Sequence, residues 1–299
     1  MLESYHIVLL LFAVIQFLIG VLANGIIVVV NSTDLIKQRT MMPLDLLLCC
    51  LAISRICFQL DIFYINLAVL SLTEFPPLAE NFTILMFLNE SGLWFATWLS
   101  VFYCTKIATV AHPTIFWLKT RISKLVPWLI LGSLLYVSIT SVFHSKHTWI
   151  LQKNMWLGLF SKNATTPIKE MHASQFASHI VNLSLPLIIF LISVLLLVFS
   201  LGRHTQKMRN TAVGTRNLSM SVHVSTLVSI LSFLVLYLSH YLIIVVIILQ
   251  NFKLRRLIFL FCILVVGSYP SGHSIILILG NPKLKQNAKK FLLLRKCCQ

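Results

Sequence analysis

Apolar residues run in long unbroken stretches along this chain, and polar residues gather in short clusters between them. Seven stretches of about twenty or more mostly apolar residues are long enough to cross a bilayer as helices. They cover roughly 6–31, 44–70, 82–110, 126–143, 176–201, 222–249 and 257–280. Strands of a membrane barrel would instead alternate over about ten residues. The pattern therefore predicts an all-α membrane protein. It is a single seven-transmembrane helix bundle over residues 1–299, with a basic tail at 281–299.

The clusters between spans predict the orientation. Fifteen basic residues fall on one side, among them Lys37, Arg39, Lys119, Lys124, Lys207, Arg209 and six in the tail from Lys283 to Lys296. Seven fall on the other side, in the loops near Lys146–Lys169 and Lys253–Arg256. Basic short segments are retained in the cytoplasm. The N-terminus is expected outside and the C-terminus in the cytoplasm. The first stretch follows Glu3 and runs past twenty residues, so it reads as a retained span rather than a signal peptide. The expected outer loop at about 144–175 carries Asn163-Ala164-Thr165, an N-glycosylation sequon.

Composition adds one exclusion. The chain is 58% hydrophobic and 11% charged, with mean hydropathy +0.90. Soluble domains carry about 25% charged residues. The net charge of +16 is explained by the loops above, so the expected partner surface is the lipid bilayer and not nucleic acid.

Ionisable groups inside a span are expensive and mark function by default. Arg55 lies in the second span. It is expected either to bridge the first, second and seventh helices through backbone carbonyls and Asn24, or to take part in switching directly. Asp61 and Asn66 lie further along the same span. The third span holds Asn89 and Glu90 towards its outer half and Lys106 near its inner end. Asn89 and Lys106 are about 25 Å apart along a helix. Lys106 either snorkels to the headgroups or meets a cytoplasmic partner. Pro127 is expected to open a helix, whereas Pro186 and Pro270 interrupt helices and act as bends. His273 and Ser274 follow Pro270 and cannot face lipid cheaply, so they should face other helices.

No His-Glu-x-x-His pair, Gly-x-Ser-x-Gly elbow or phosphate-binding glycine loop is present, so no enzyme, metal site or cofactor is expected. A transporter is the alternative class, but it calls for paired intramembrane carboxylates and internal symmetry, and no repeat is visible.

The rhodopsin-like marks of G-protein-coupled receptors are missing. The third span ends in Lys106-Ile107-Ala108, and the seventh runs His273-Ser274 to Gly280-Asn281. An ordered set of other motifs extends over nearly the whole chain. It includes Asn24-Gly25-Ile26-Ile27, Ala52-Ile53-Ser54-Arg55, Trp94-Phe95-Ala96-Thr97, Tyr269-Pro270-Ser271, His273-Ser274 and Asn281-Pro282-Lys283-Leu284-Lys285. In these the chain resembles the bitter taste receptors, type 2. The resemblance implies a multi-pass plasma-membrane receptor for bitter small molecules that activates a gustducin-type heterotrimeric G protein. It implies a pocket in the outer halves of the helices, with Asn66, Asn89, Tyr241 and Ile263 at pocket positions. Glu90, beside Asn89, is expected to add negative charge there, with Asp61. Arg55, Lys106 and the polar turn of the seventh helix are the expected switch, and the basic third inner loop with Lys207 and Arg209 would meet the G protein.

Overall fold

The computed structural model describes residues 4–38, 42–70, 78–107, 113–160, 173–211, 231–246 and 256–297, and every one of these segments is helical over nearly its whole length. The helices are α1 (Ser4–Gln38), α2 (Pro43–Val69), α3 (Leu78–Ile107) and α4 (Pro113–Phe160). They continue as α5 (Ala173–Thr211), α6 (Leu231–Val246), α7 (Arg256–Gly280) and α8 (Pro282–Cys297). Six of them are long and apolar enough to cross a membrane: α1 to α5 and α7. The described part of α6 is a shorter apolar helix; the rest of the expected sixth span, 222–230 and 247–249, lies outside the described residues.

The bundle is arranged around α3. In its apolar window 61% of residues are buried, against 17% in α1, which puts α3 at the centre and α1 at the rim. α3 packs on α2, α4 and α5, while α1 packs on α2, α7 and α8. Large apolar side chains such as Phe12, Leu135, Leu195 and Phe199 stand exposed on the outside of the bundle. In water such a surface would aggregate; against lipid tails it is the solvent-matched face.

Several boundaries differ from the sequence reading. Pro127 does not open a helix but lies well inside α4, which begins at Pro113. The basic run Lys119–Lys124 suggested a loop. A helix that outruns the hydrocarbon keeps its backbone bonded while its charged side chains reach water, and Lys119, Arg121 and Lys124 are exposed. α5 likewise continues to Thr211, so Lys207 and Arg209 lie on a helix rather than on a loop. The tail also folds, as α8. Pro282 cannot continue the ladder of α7, and Asn281 caps the new helix by accepting from the Lys283 and Leu284 amides at 3.0 and 3.4 Å. Pro186 and Pro270 lie inside α5 and α7.

Close approach of α1, α2 and α7 depends on Gly20. A Cβ there would sit 2.7 Å from Ser271 Oγ and 2.9 Å from Gln59 Cδ, whereas Gly25, on another face of α1, has nothing within 4 Å. Gly20→Val should therefore lower stability by about 1–3 kcal/mol through overpacking. Gly25→Ala should leave stability unchanged or raise it. Thermal denaturation of the two purified variants in detergent checks this, and equal losses would contradict the packing.

Candidate functional site

Arg55 occupies α2 about 18 Å along the helix axis from Pro43, deep in the span, and is 2% exposed. A guanidinium has donors only, so every partner must accept. Its Nη1 donates to Ser274 Oγ at 3.3 Å, and its Nη2 bonds Nδ1 of His273. Nδ1 is therefore the unprotonated nitrogen of a neutral ring whose proton sits on Nε2. Ser274 passes the interaction on: its single proton goes to Asn24 Oδ1 at 2.6 Å, with the Pro270 carbonyl at 2.8 Å as competing acceptor. Asn24 Nδ2 then donates to the Gly20 carbonyl at 2.8 Å. One chain of hydrogen bonds thus runs from α2 through α7 to α1. Asn24 meets Arg55 only through Ser274.

A second strand of the same network lies one turn along. Gln59 Nε2 donates to the Gly267 carbonyl at 2.7 Å and to Ser271 Oγ at 2.8 Å, and Ser271 donates to the Gln16 carbonyl at 3.3 Å. Aromatic rings close the remaining sides. Arg55 stands 5.5 Å from the Tyr269 ring centroid, within cation–π range. Phe233 of α6 stacks on His273 at 3.6 Å. Beside that stack lies a cavity of about 60 Å³ among Leu99, Ser100, Phe190, Val194, Phe233 and His273. It is far smaller than the several hundred Å³ of a ligand pocket.

The residues expected to bind ligand go to different neighbours. Asn89 Oδ1 is bonded to Nε2 of His240 in α6 at 2.8 Å, and its Nδ2 is buried with no protein partner among the described residues. Glu90, 4% exposed, points instead to α4, where Thr140 donates to Oε2 at 3.3 Å. Asn66 donates to the Ile62 carbonyl of its own helix at 2.9 Å, Tyr241 bonds Ser184 of α5 at 2.8 Å, and Ile263 is buried in α7. Lys106 is exposed, its ammonium 5.8 Å from the Phe102 ring. The side chains of Lys207 and Arg209, and all of Asn163, lie outside the described residues.

At the end of the bundle where α8 begins, Lys283 Nζ lies 3.2 Å from both Asp45 carboxylate oxygens and 3.2 Å from Asn31 Oδ1. It thereby ties α8 to α2 and α1.

Residues 1–296 match the profile of the taste receptor protein family, TAS2R. The chain belongs to the taste receptor type 2 family. It is 60% identical to Taste receptor type 2 member 1 of Pan paniscus, over 299 residues and the full length of both chains. It is 52% identical to member 119 of Rattus norvegicus, covering all of this chain and 88% of that one. It is 34% identical to member 2 of Homo sapiens, covering 94% of each. This family consists of bitter-taste G-protein-coupled receptors, so the chain is a multi-pass plasma-membrane receptor and not an enzyme.

Within this receptor, sequence reasoning missed Gln59 and His240. Gln59 had a usable signal: it follows Arg55 by four residues, the spacing that puts two side chains on one helix face. His240 offered only its polarity inside a span, because its partner Asn89 is 151 positions away. The ion pair of Asp45 with Lys283 was equally out of reach of local pattern.

Ser274 is the relay between Arg55 and Asn24. Ser274→Ala should cost about 1–2 kcal/mol by leaving buried partners unpaired. A double-mutant cycle with Asn24→Ala should show a coupling of about 1 kcal/mol. Denaturation of the four purified proteins reads both, and strictly additive losses would refute the relay.

Proposed function

We propose that this receptor crosses the bilayer seven times, with its N-terminus outside and its C-terminus in the cytoplasm. It binds bitter small molecules among the outer halves of α2, α3, α6 and α7, and activates a gustducin-type heterotrimeric G protein. The residues around Leu231–Val246 supply the sixth span in chain order, which completes the seven, and Asn163 in the outer loop carries a glycan. The excess of basic residues on the α8 side supports this orientation.

One observation carries the mechanism: α6 touches both layers of polar residues. His240 bonds Asn89 in the outer layer, and Phe233, two turns away on the same helix, stacks on His273 beside Arg55. An agonist that takes the buried Asn89 amide as a partner competes with or reinforces the contact to α6. Any shift of α6 then acts on the ring that Arg55 holds. The driving force is the difference in agonist affinity between two helix arrangements. Mostly apolar walls with few polar groups suit a receptor of broad specificity. Arg55, His273, Ser274 and Asn24 form the element with two arrangements. Lys106 and the α5 extension with Lys207 and Arg209 face the G protein.

The decisive assay is calcium release in cells supplied with a promiscuous G protein and screened against a panel of bitter compounds. Asn89→Ala should raise the half-maximal agonist concentration about tenfold or more at matched surface expression, equivalent to about 1.4 kcal/mol of lost interaction. Glu90→Ala should raise it as well, because the carboxylate is proposed to face bound agonist. Unchanged responses in both variants would remove the site from this layer.

A further inference from the structure

We infer that the bundle holds a small monovalent anion of the halide class, chloride in physiological media, in the cavity beside His273 and Arg55. The inference rests on a count of charges and donors inside the bundle. It uses neither the orientation nor the agonist site proposed above.

The charge count comes first. Arg55 is a full positive charge, almost wholly buried, and the two groups that bond it, Ser274 and His273, are neutral. Its Nε is buried with no protein partner among the described residues. Proteins tolerate a buried charge when a counter-charge meets it. The acidic residues with described side chains are Asp45, Asp61 and Glu90. Asp45 is paired with Lys283, and Glu90 turns to Thr140 of α4. Asp61 follows Arg55 by six residues, which puts it about 9 Å further along α2 and about 120° round the helix. Among the described side chains, then, nothing neutralises Arg55, and the counter-charge falls to an ion from solution.

Room and donors lie next to it. His273 stands on the wall of the cavity of about 60 Å³, and a water-sized occupant needs about 10–15 Å³. The polar residues of that wall are Ser100, Tyr103 and His273; each can donate and none is acidic. Because His273 receives Arg55 at Nδ1, the donor it has left is the Nε2–H, polarised by the guanidinium. The other lining residues, such as Leu99, Phe190, Val194 and Phe233, are apolar, so the charge of Arg55 is little screened there. Such walls choose their occupant. A cation is repelled by Arg55, and a water brings no charge. Sulfate and phosphate are too large and overcompensate. A halide accepts from every direction and supplies the one charge that is missing.

The test uses the purified full-length receptor in neutral detergent without agonist, with chloride replacing bulky gluconate at constant ionic strength. The melting temperature should rise saturably, by about 2–4 °C at about 100 mM chloride, as it does for a ligand that binds only the folded state. Bromide should act like chloride. Arg55→Gln removes the charge and should abolish the dependence. K285Q/K289Q/K290Q, which removes three exposed lysines of α8, should keep it. A melting temperature indifferent to chloride overturns the inference. So does an equal rise in Arg55→Gln, or a rise lost with the three lysines, which is the mark of an adventitious ion at the surface. Should Arg55→Gln fail to fold, crystals of the native receptor grown in bromide decide: an anomalous peak beside His273 and Arg55 sustains the site, and its absence refutes it. No agonist enters either measurement, so failure of the proposed agonist site would leave both results untouched.

Discussion

A permanently charged guanidinium placed in the middle of a bilayer dictates much of what surrounds it. Leaving an Arg at the centre of a spanning helix costs about 3 kcal/mol on insertion scales. That cost is offset only if acceptors converge on the group, and acceptors are scarce in helices whose carbonyls are already bonded. The structure supplies them from side chains. His273 and Ser274 of α7 accept from Arg55, Ser274 hands its own proton to Asn24 of α1, and Tyr269 offers a ring face. Three helices are thereby fixed in register by one cation.

The rest of this side of the bundle follows from that requirement. Polar side chains meet only if backbones come close, and Gly20 and Gly267 are where α1 and α7 allow it. Gln59 uses the same gap one turn away, bonding the Gly267 carbonyl and Ser271. At the α8 end, Lys283 with Asp45 and Asn31 repeats the arrangement nearer to water: one cation again holds α1, α2 and the α7–α8 junction. An array of discrete hydrogen bonds of this kind has a small number of satisfied arrangements. In the mechanism proposed above this array switches between two of them, packed interfaces being bistable rather than continuously deformable. α6 carries the ring that leans on this array and also the histidine that meets Asn89, and in the proposed mechanism it is the input.

How much of this the sequence revealed follows the range of each interaction. Long apolar runs are local, and α2 and α7 were legible almost to the residue. Charge in a run was misleading. The lysines before Pro127 and those after Ser200 looked like loops, yet α4 and α5 continue through them, because helical hydrogen bonds persist wherever the side chains reach water. The tail read only as a basic segment with no element assigned to it, although Asn281-Pro282 is a start signal for a helix. Among polar residues, Arg55, Asn24, His273 and Ser274 were recognisable from their cost in lipid, and the structure brings those four together. Asn89 and Glu90 are neighbours in sequence, but successive residues on a helix point about 100° apart, so one faces α6 and the other α4. Partners such as His240 and Thr140 depend on tertiary packing that no local pattern encodes.

The measurement that bears most directly on this account is the agonist response of Arg55→Lys in the calcium-release assay, at surface expression matched to the native receptor. Lysine keeps the charge but loses the planar fork that engages His273 and Ser274 together. The account predicts a maximal response reduced to about a tenth or less, a loss of roughly 1.4 kcal/mol or more in the active arrangement. A full response from the lysine variant would mean that charge alone suffices and that the shared network between α1, α2 and α7 is not the switch.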